Sequence, residues 1–203
     1  KGGEIRMEGE RTASIYRVTS ETEVSLNLSV DGEGKASLAT GVPFLNHMLD
    51  LFAKHGQFDL EVMAKGDLEI DDHHTVEDVA LCLGKAFHQA LGKKQGIRRY
   101  GQAWVPMDDA LGQVVIDLSG RSYLHFQATF PSQQVGTFST ELVEEFFAKL
   151  AQEGRFNLHV ILHYGRNTHH MIEALFKALG RALDEATQID PRVKGIPSSK
   201  GVL

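Results

Sequence analysis

HHTVEDVALCLGKAF at residues 73–87 returns as HHMIEALFKALGRAL at residues 169–183. Each copy opens on two adjacent histidines, with a glutamate four residues after the first: His73, His74 and Glu77, then His169, His170 and Glu173. Each also carries a late small-residue pair, Gly84 with Ala86 and Gly180 with Ala182. The likeness continues upstream. NHMLDLFAKHGQFDLEV at 46–62 aligns with EEFFAKLAQEGRFNLHV at 144–160, matching Gly56 to Gly154, Phe58 to Phe156, Leu60 to Leu158 and Val62 to Val160. The small change of offset between the two blocks falls in a polar loop, where length changes are tolerated best. The chain therefore reads as two fused copies of one unit, about residues 11–95 and 96–190, within a single domain. A Pro/Gly/Ser-rich basic tail follows at 191–203.

Working outward, Val24, Leu26, Leu28 and Val30 alternate and predict a strand at 22–30, beside a first at 12–19. Asp31-Gly32-Glu33-Gly34 is a turn signal, and a third strand is expected near 35–40. Pro43 starts a helix and Gly56 stops it. Residues 57–65 alternate again as a strand, and Asp71 or Asp72 caps a helix that ends at Gly92. The second half predicts strands at 98–106, 112–119 and 122–130, a helix at 139–153 ending at Gly154, and a strand at 155–164. A last helix, capped by Thr168, runs to about 187. Both halves read β-β-β-α-β-α, an α+β architecture in which apolar helix faces pack on sheets.

Composition bounds the function. The chain has 203 residues, enough for one large domain or two intimate halves, and 42% hydrophobic residues, enough for an ordinary core. A net charge of −6 argues against a broad nucleic-acid surface and leaves room for a small cationic pocket. The single cysteine, Cys82, excludes an internal disulfide and reads as core. No apolar run approaches the roughly 18 residues of a membrane helix, and no secretory signal is visible. The expected location is cytoplasmic, with neither membrane nor nucleic acid as partner. Lys1 to Gly3 read as unstructured.

On a helix, residues i and i+4 share a face, while i+1 is rotated by about 100°. His73 and Glu77 can therefore share one metal, and His74 must point to another. The same holds for His169 with Glu173, and for His170. The preceding helix of the first half offers His47, and the repeat alignment puts Glu145 in that place in the second. One such motif alone is as readily a helix cap or a surface pair. Two at matched repeat positions point to a binuclear site with eight candidate ligands: His47, His73, His74, Glu77, Glu145, His169, His170 and Glu173. Imidazole and carboxylate without thiolate suit Mn²⁺, Fe²⁺ or Zn²⁺, and open octahedral positions favour Mn²⁺. His55, His88, His125, His159 and His163 lack this support and read as core or surface residues.

With these residues assembled, the chain resembles the imidazoleglycerol-phosphate dehydratase family. The resemblance spans nearly the whole chain and is carried by FLNHMLDLFAKHG, DDHHTVEDVALCLGKA, RRYG, MDDAL, DLSGR, LVEEFF, NTHHMIEALFKALGRAL and PSSKG, in that order. It implies an internally duplicated unit whose helical layer packs between two mixed four-stranded sheets. It also implies two Mn²⁺ per subunit and a homo-24-mer whose neighbouring subunits complete each site. Carried over, one ion takes His47, His74, His169 and Glu173, and the other takes His73, Glu77, His170 and residue 145. Many members have His at position 145, where this chain has Glu145, a departure that adds negative charge to the site.

The implied reaction is dehydration of imidazole glycerol phosphate to imidazole acetol phosphate in histidine biosynthesis. The proton to be removed sits on a carbon that is not acidic. Cations beside the imidazole lower its pKa, and an imidazolate can expel the neighbouring hydroxyl to give a diazafulvene-like species whose C–H is acidic. Glu77, Glu173 and Glu21, the last matching a substrate-contacting family position, are the candidate proton carriers. For the phosphate the resemblance implies Arg99, Arg121, Lys177, Ser199 and Lys200. Taken alone, Lys177 and Lys200 read as surface lysines. Arg98 reads as structural, and Asp108 and Asp109 as a turn outside the site. A binuclear phosphoester hydrolase using metal-bound hydroxide would use the same ligands but hydrolyse phosphate esters, with no loss of water from a diol. A metal-storage shell would need the ligands but not Arg99, Arg121 and the PSSKG tail. Gly92-Lys93-Lys94 lacks the spacing of a P-loop.

Overall fold

Alternation in the sequence becomes strands whose apolar residues point one way. In the computed structural model, which describes residues 9–203, the first half forms β1 (Thr12–Val18), β2 (Thr22–Ser29), β3 (Ala36–Ala39), α1 (Pro43–Gly56), β4 (Asp59–Gly66) and α2 (His73–Leu91). Lys1 to Gly3 lie outside the described residues. The second half forms β5 (Tyr100–Met107), β6 (Ala110–Asp117), β7 (Tyr123–Gln127), β8 (Gln134–Val135), β9 (Phe138–Ser139), α3 (Glu141–Gly154), β10 (Asn157–Tyr164) and α4 (Thr168–Thr187). The short β8–β9 hairpin was not foreseen: with two residues per strand there is no alternation to read.

The two main sheets have the same strand order, β1-β2-β4-β3 and β5-β6-β10-β7. In each, one edge pair is parallel, β3 with β4 and β7 with β10, and the rest are antiparallel. Parallel neighbours need a long crossover, and α1 and α3 supply it. The fold is thus α+β, an internally duplicated unit whose helices lie between two mixed four-stranded sheets. Inward residues such as Val24, Leu26, Leu60, Val114, Leu158 and Val160 are buried. No described helix is long and apolar enough to cross a membrane.

Two helix boundaries differ in their cause from the sequence reading. Gly56 and Gly154 are the last helical residues, and the left-handed position falls one later, on Gln57 (φ 57°) and Arg155 (φ 52°). The glycines serve packing instead. α2 lies against α3, and α1 against α4, so each close helix pair joins the two halves. A Cβ at Gly84 would stand 2.5 Å from Leu150 O and 2.8 Å from Gly154 N. At Gly180 it would stand 2.6 Å from Phe52 O and 3.0 Å from Gly56 N. The matched glycines therefore let backbones touch at both seams. We expect Gly84→Ala to lose about 1–3 kcal/mol by overpacking, read as a lower urea midpoint, with exposed Lys85→Ala as the neutral control. An unchanged midpoint would mean the α2–α3 seam parts freely.

The caps also shift. Asp71 Oδ1 accepts from His73 N at 2.8 Å, whereas Asp72 at the N-cap makes no side-chain bond to the helix. Asn167, not Thr168, caps α4, its Oδ1 accepting from His170 N at 3.1 Å. The Thr168 hydroxyl accepts instead from Ser132 N at 3.3 Å. Both capping side chains sit two residues before a His-His pair and hold the backbone from which the imidazoles leave the helix. Cys82 is buried, and burial pushes its thiol up to about 11.

Candidate metal centres

The seams bring the ligand candidates together. At the first seam His47 of α1 meets His169 and Glu173 of α4: His47 Nε2 is 3.3 Å from Glu173 Oε1, and His169 Nε2 is 3.3 Å from Glu173 Oε2. At the second seam His73 and Glu77 of α2 meet Glu145 of α3: His73 Nε2 is 4.0 Å from Glu77 Oε2 and 3.9 Å from Glu145 Oε1. In each trio the ligand atoms lie within 4.8 Å of one another. Glu173 is buried, while His47 is exposed and the other four are half-buried. Neither trio comes from one half of the chain alone. The donors are imidazole and carboxylate without thiolate, converging on a point, and they fit a divalent ion such as Mn²⁺.

His74 and His170 join neither trio within the chain. Their Nδ1 atoms are held by carboxylates, His74 to Asp67 Oδ2 at 2.8 Å and His170 to Asp109 Oδ1 at 2.7 Å. Each carboxylate raises its imidazole's pKa, and Asp109 is itself held well below the usual carboxylate range by His170 and by the backbone N–H groups of Asn167 and Arg166. This is how metal-binding histidines are commonly oriented: the second nitrogen is tethered so that Nε2 projects outward. Glu21 Oε1 lies 3.7 Å from His74 Nε2. The reading of Asp109 as a plain turn residue is therefore corrected. It orients His170 and accepts from Arg166 N at 2.5 Å and Asn167 N at 2.9 Å, tying down the loop that enters α4. Asp108 remains exposed, 3.8 Å from His170 Nε2. Asp67 was missed altogether.

Lys149 was missed too. Its Nζ lies 2.9 Å from Glu77 Oε1 and 3.4 Å from Glu145 Oε1, and its ammonium lowers the Glu77 pKa.

The cations divide. Arg99 grips Asp117 with two bonds, 2.7 and 3.1 Å, and donates a third to Pro197 O at 2.9 Å. It thereby fastens the PSSKG tail to the second sheet. The tail also packs its Leu203 against Gly120, at the turn that carries Arg121. Below this turn, buried Lys94 donates to Leu118 O at 3.1 Å. Arg121 donates a long 3.3 Å bond to Ser119 O, and Ser199 and Lys200 are exposed on the tail. Lys177 belongs with the first trio: its Nζ is 3.9 Å from Glu173 Oε1 and 3.2 Å from Met107 Sδ.

Two sheets around cross-paired helices, with twin trios of His and Glu at the seams, define a duplicated α+β protein bearing two sets of metal-type ligands. The family model for imidazoleglycerol-phosphate dehydratase matches residues 40–183. The enzyme of that name from Geobacillus thermodenitrificans is 70% identical over 193 residues, covering 95% of this chain and 99% of the relative. That from Bacillus subtilis is 66% identical, covering 95% and 100%. Among solved structures, the imidazoleglycerol-phosphate dehydratase of Staphylococcus aureus superposes with a TM-score of 0.81 at 41% identity, over 88% of this chain and 99% of the other. That of Pyrococcus furiosus gives 0.80 at 35%, over 93% and 100%. The chain belongs to the imidazoleglycerol-phosphate dehydratase family, a family of hydro-lyases.

Proposed function

We propose that the chain removes water from imidazole glycerol phosphate to give imidazole acetol phosphate, as a cytoplasmic step of histidine biosynthesis, with two Mn²⁺ held per subunit. The observation that carries the metal reading is the pair of His/Glu trios built across the repeat seams, each with ligand atoms within 4.8 Å of one another. When bound, the two cations would lower the pKa of the substrate's imidazole and so supply the electron push that expels the hydroxyl. His47, His169 and Glu173 hold one ion, and His73, Glu77 and Glu145 the other. His74 and His170, each held through Nδ1 by a carboxylate, complete the sites of neighbouring chains in a homo-24-mer. Glu21 is placed beside His74 Nε2, so it enters the site through the same contact and is a proton carrier or substrate contact there. Glu77 and Glu173 are the other carboxylates within reach. Arg121, Ser199 and Lys200, with Arg99 anchoring the tail, receive the phosphate as bidentate and point-charge donors, and Lys177 approaches from the metal side.

The test is product formation from imidazole glycerol phosphate by chelator-stripped protein, with and without Mn²⁺. Imidazole acetol phosphate is expected only with the ion. Release of inorganic phosphate without the ketone would replace this reading with the binuclear hydrolase, and bound ions without turnover would replace it with storage.

A further inference from the structure

We propose that Lys149 is a built-in competitor for one of the two metal positions: its ammonium and a divalent ion are alternative partners of Glu77 and Glu145, so the two trios of one chain differ in metal affinity. The inference rests on the reading of the trios as metal positions.

The trios differ in charge. His47, His169 and Glu173 contain one carboxylate, and both its oxygens lie 3.3 Å from imidazole nitrogens. The nearest ammonium, Lys177, stands off at 3.9 Å and has Met107 Sδ as its closer contact. His73, Glu77 and Glu145 contain two carboxylates, and by Coulomb's law alone this trio is the stronger attractor of a dication. Lys149 reverses that advantage and makes this trio the weaker of the two. It sits at i+4 from Glu145 on the same face of α3, and reaches Glu77 across the seam. At 2.9 and 3.4 Å it is closer to the two carboxylates than His73 Nε2 is, at 4.0 and 3.9 Å. An ion coordinating those oxygens must displace the ammonium and then tolerate it nearby.

The experiment is a Mn²⁺ titration of the chelator-stripped, assembled protein, followed by the spin resonance of free Mn²⁺ and by calorimetry. Two classes of site are expected. Lys149→Met, which keeps most of the aliphatic stem, should tighten the weaker class by roughly tenfold, the size of one charge-assisted hydrogen bond removed from the competing state. The tighter class should not move. Lys149→Arg keeps the charge and should preserve the wild-type gap, which separates competition from misfolding. A Lys149→Met protein whose two classes are unchanged, or whose weaker class weakens further, overturns the inference while leaving the metal reading intact. A wild-type protein that binds no Mn²⁺ overturns both.

Discussion

Glu173→Gln is expected to cut dehydration by roughly three orders of magnitude and, on the proposed two-metal reading, to remove one ion. The substitution is nearly isosteric, so packing is not the cause. Glu173 is buried, 5% exposed, with one oxygen toward His47 and the other toward His169. A glutamine keeps one carbonyl oxygen there and replaces the other with an amide that can only donate. It also removes the one carboxylate of that trio, leaving two imidazoles and the Lys177 ammonium nearby. An imidazole pair beside an unbalanced ammonium holds a dication poorly. Loss of a single preorganised electrostatic contact in an active site commonly lowers the rate by about 10²–10³-fold. Loss of the ion that organises the site adds to that. Metal content and kcat should be read together. One ion lost with the rate identifies a ligand, whereas full metal content with a lost rate identifies a proton carrier alone. Full metal content with a rate within tenfold of wild type would remove Glu173 from the site.

Why Glu173 was legible in the sequence, while its partners were less so, follows from how local each signal is. The i, i+4 relation of His169 to Glu173, or of His73 to Glu77, is a property of one helix. It needs no tertiary knowledge. The strands around Val24 and Leu60, and the helix opened by Pro43, are equally local. His47 and Glu145 were reached only through the repeat, because nothing in α1 or α3 alone marks them. That each trio draws on both halves was legible only through the family resemblance, which grouped His47 with His169 and Glu173, and His73 and Glu77 with residue 145; helix periodicity alone did not give it. Periodicity says that a helix has an apolar face, not which helix covers it. The cross-pairing itself is seen in contacts such as Gly84 against Leu150 and Gly180 against Phe52. The α4 cap illustrates the limit on boundaries. Asn167 and Thr168 are adjacent good caps, and one residue decides between them.

The remaining misses share one cause. Lys149 and Asp67 are ordinary charged residues in ordinary charged settings, and their role comes from what they touch. Asp109 is the sharpest case. In sequence it is one of two aspartates in a turn between β5 and β6. In the fold its carboxylate meets a histidine 61 residues away. No motif of short spacing could report that.

Removing that contact gives the second large effect: Asp109→Ala is expected to weaken Mn²⁺ binding by about 10–100-fold, the usual range when the group orienting a metal-binding histidine is lost. Two consequences must be separated. The first is chemical. With Nδ1–H of His170 donating to Asp109, the lone pair lies on Nε2, the outward nitrogen; without Asp109 the tautomer and ring angle are free. The second is structural, because Asp109 also accepts from Arg166 N and Asn167 N, and Asn167 caps α4. Asp109→Asn keeps an acceptor either for His170 or for the two backbone N–H groups that share Oδ2, but not the charge, so it should lie between wild type and alanine in metal affinity. Asp108→Ala, three-quarters exposed and only 3.8 Å from Nε2, should leave affinity close to wild type. If His170 completes a neighbour's site, Asp109→Ala should also shift the assembly toward smaller species at low Mn²⁺ and recover it at high Mn²⁺, measured by sedimentation. Recovery by metal would place the defect in ligand orientation. A smaller assembly that excess Mn²⁺ cannot restore, with a lowered melting temperature, would place it in the untied loop before α4. Unaltered metal affinity in Asp109→Ala would mean that His170 needs no orienting partner, or is not a ligand.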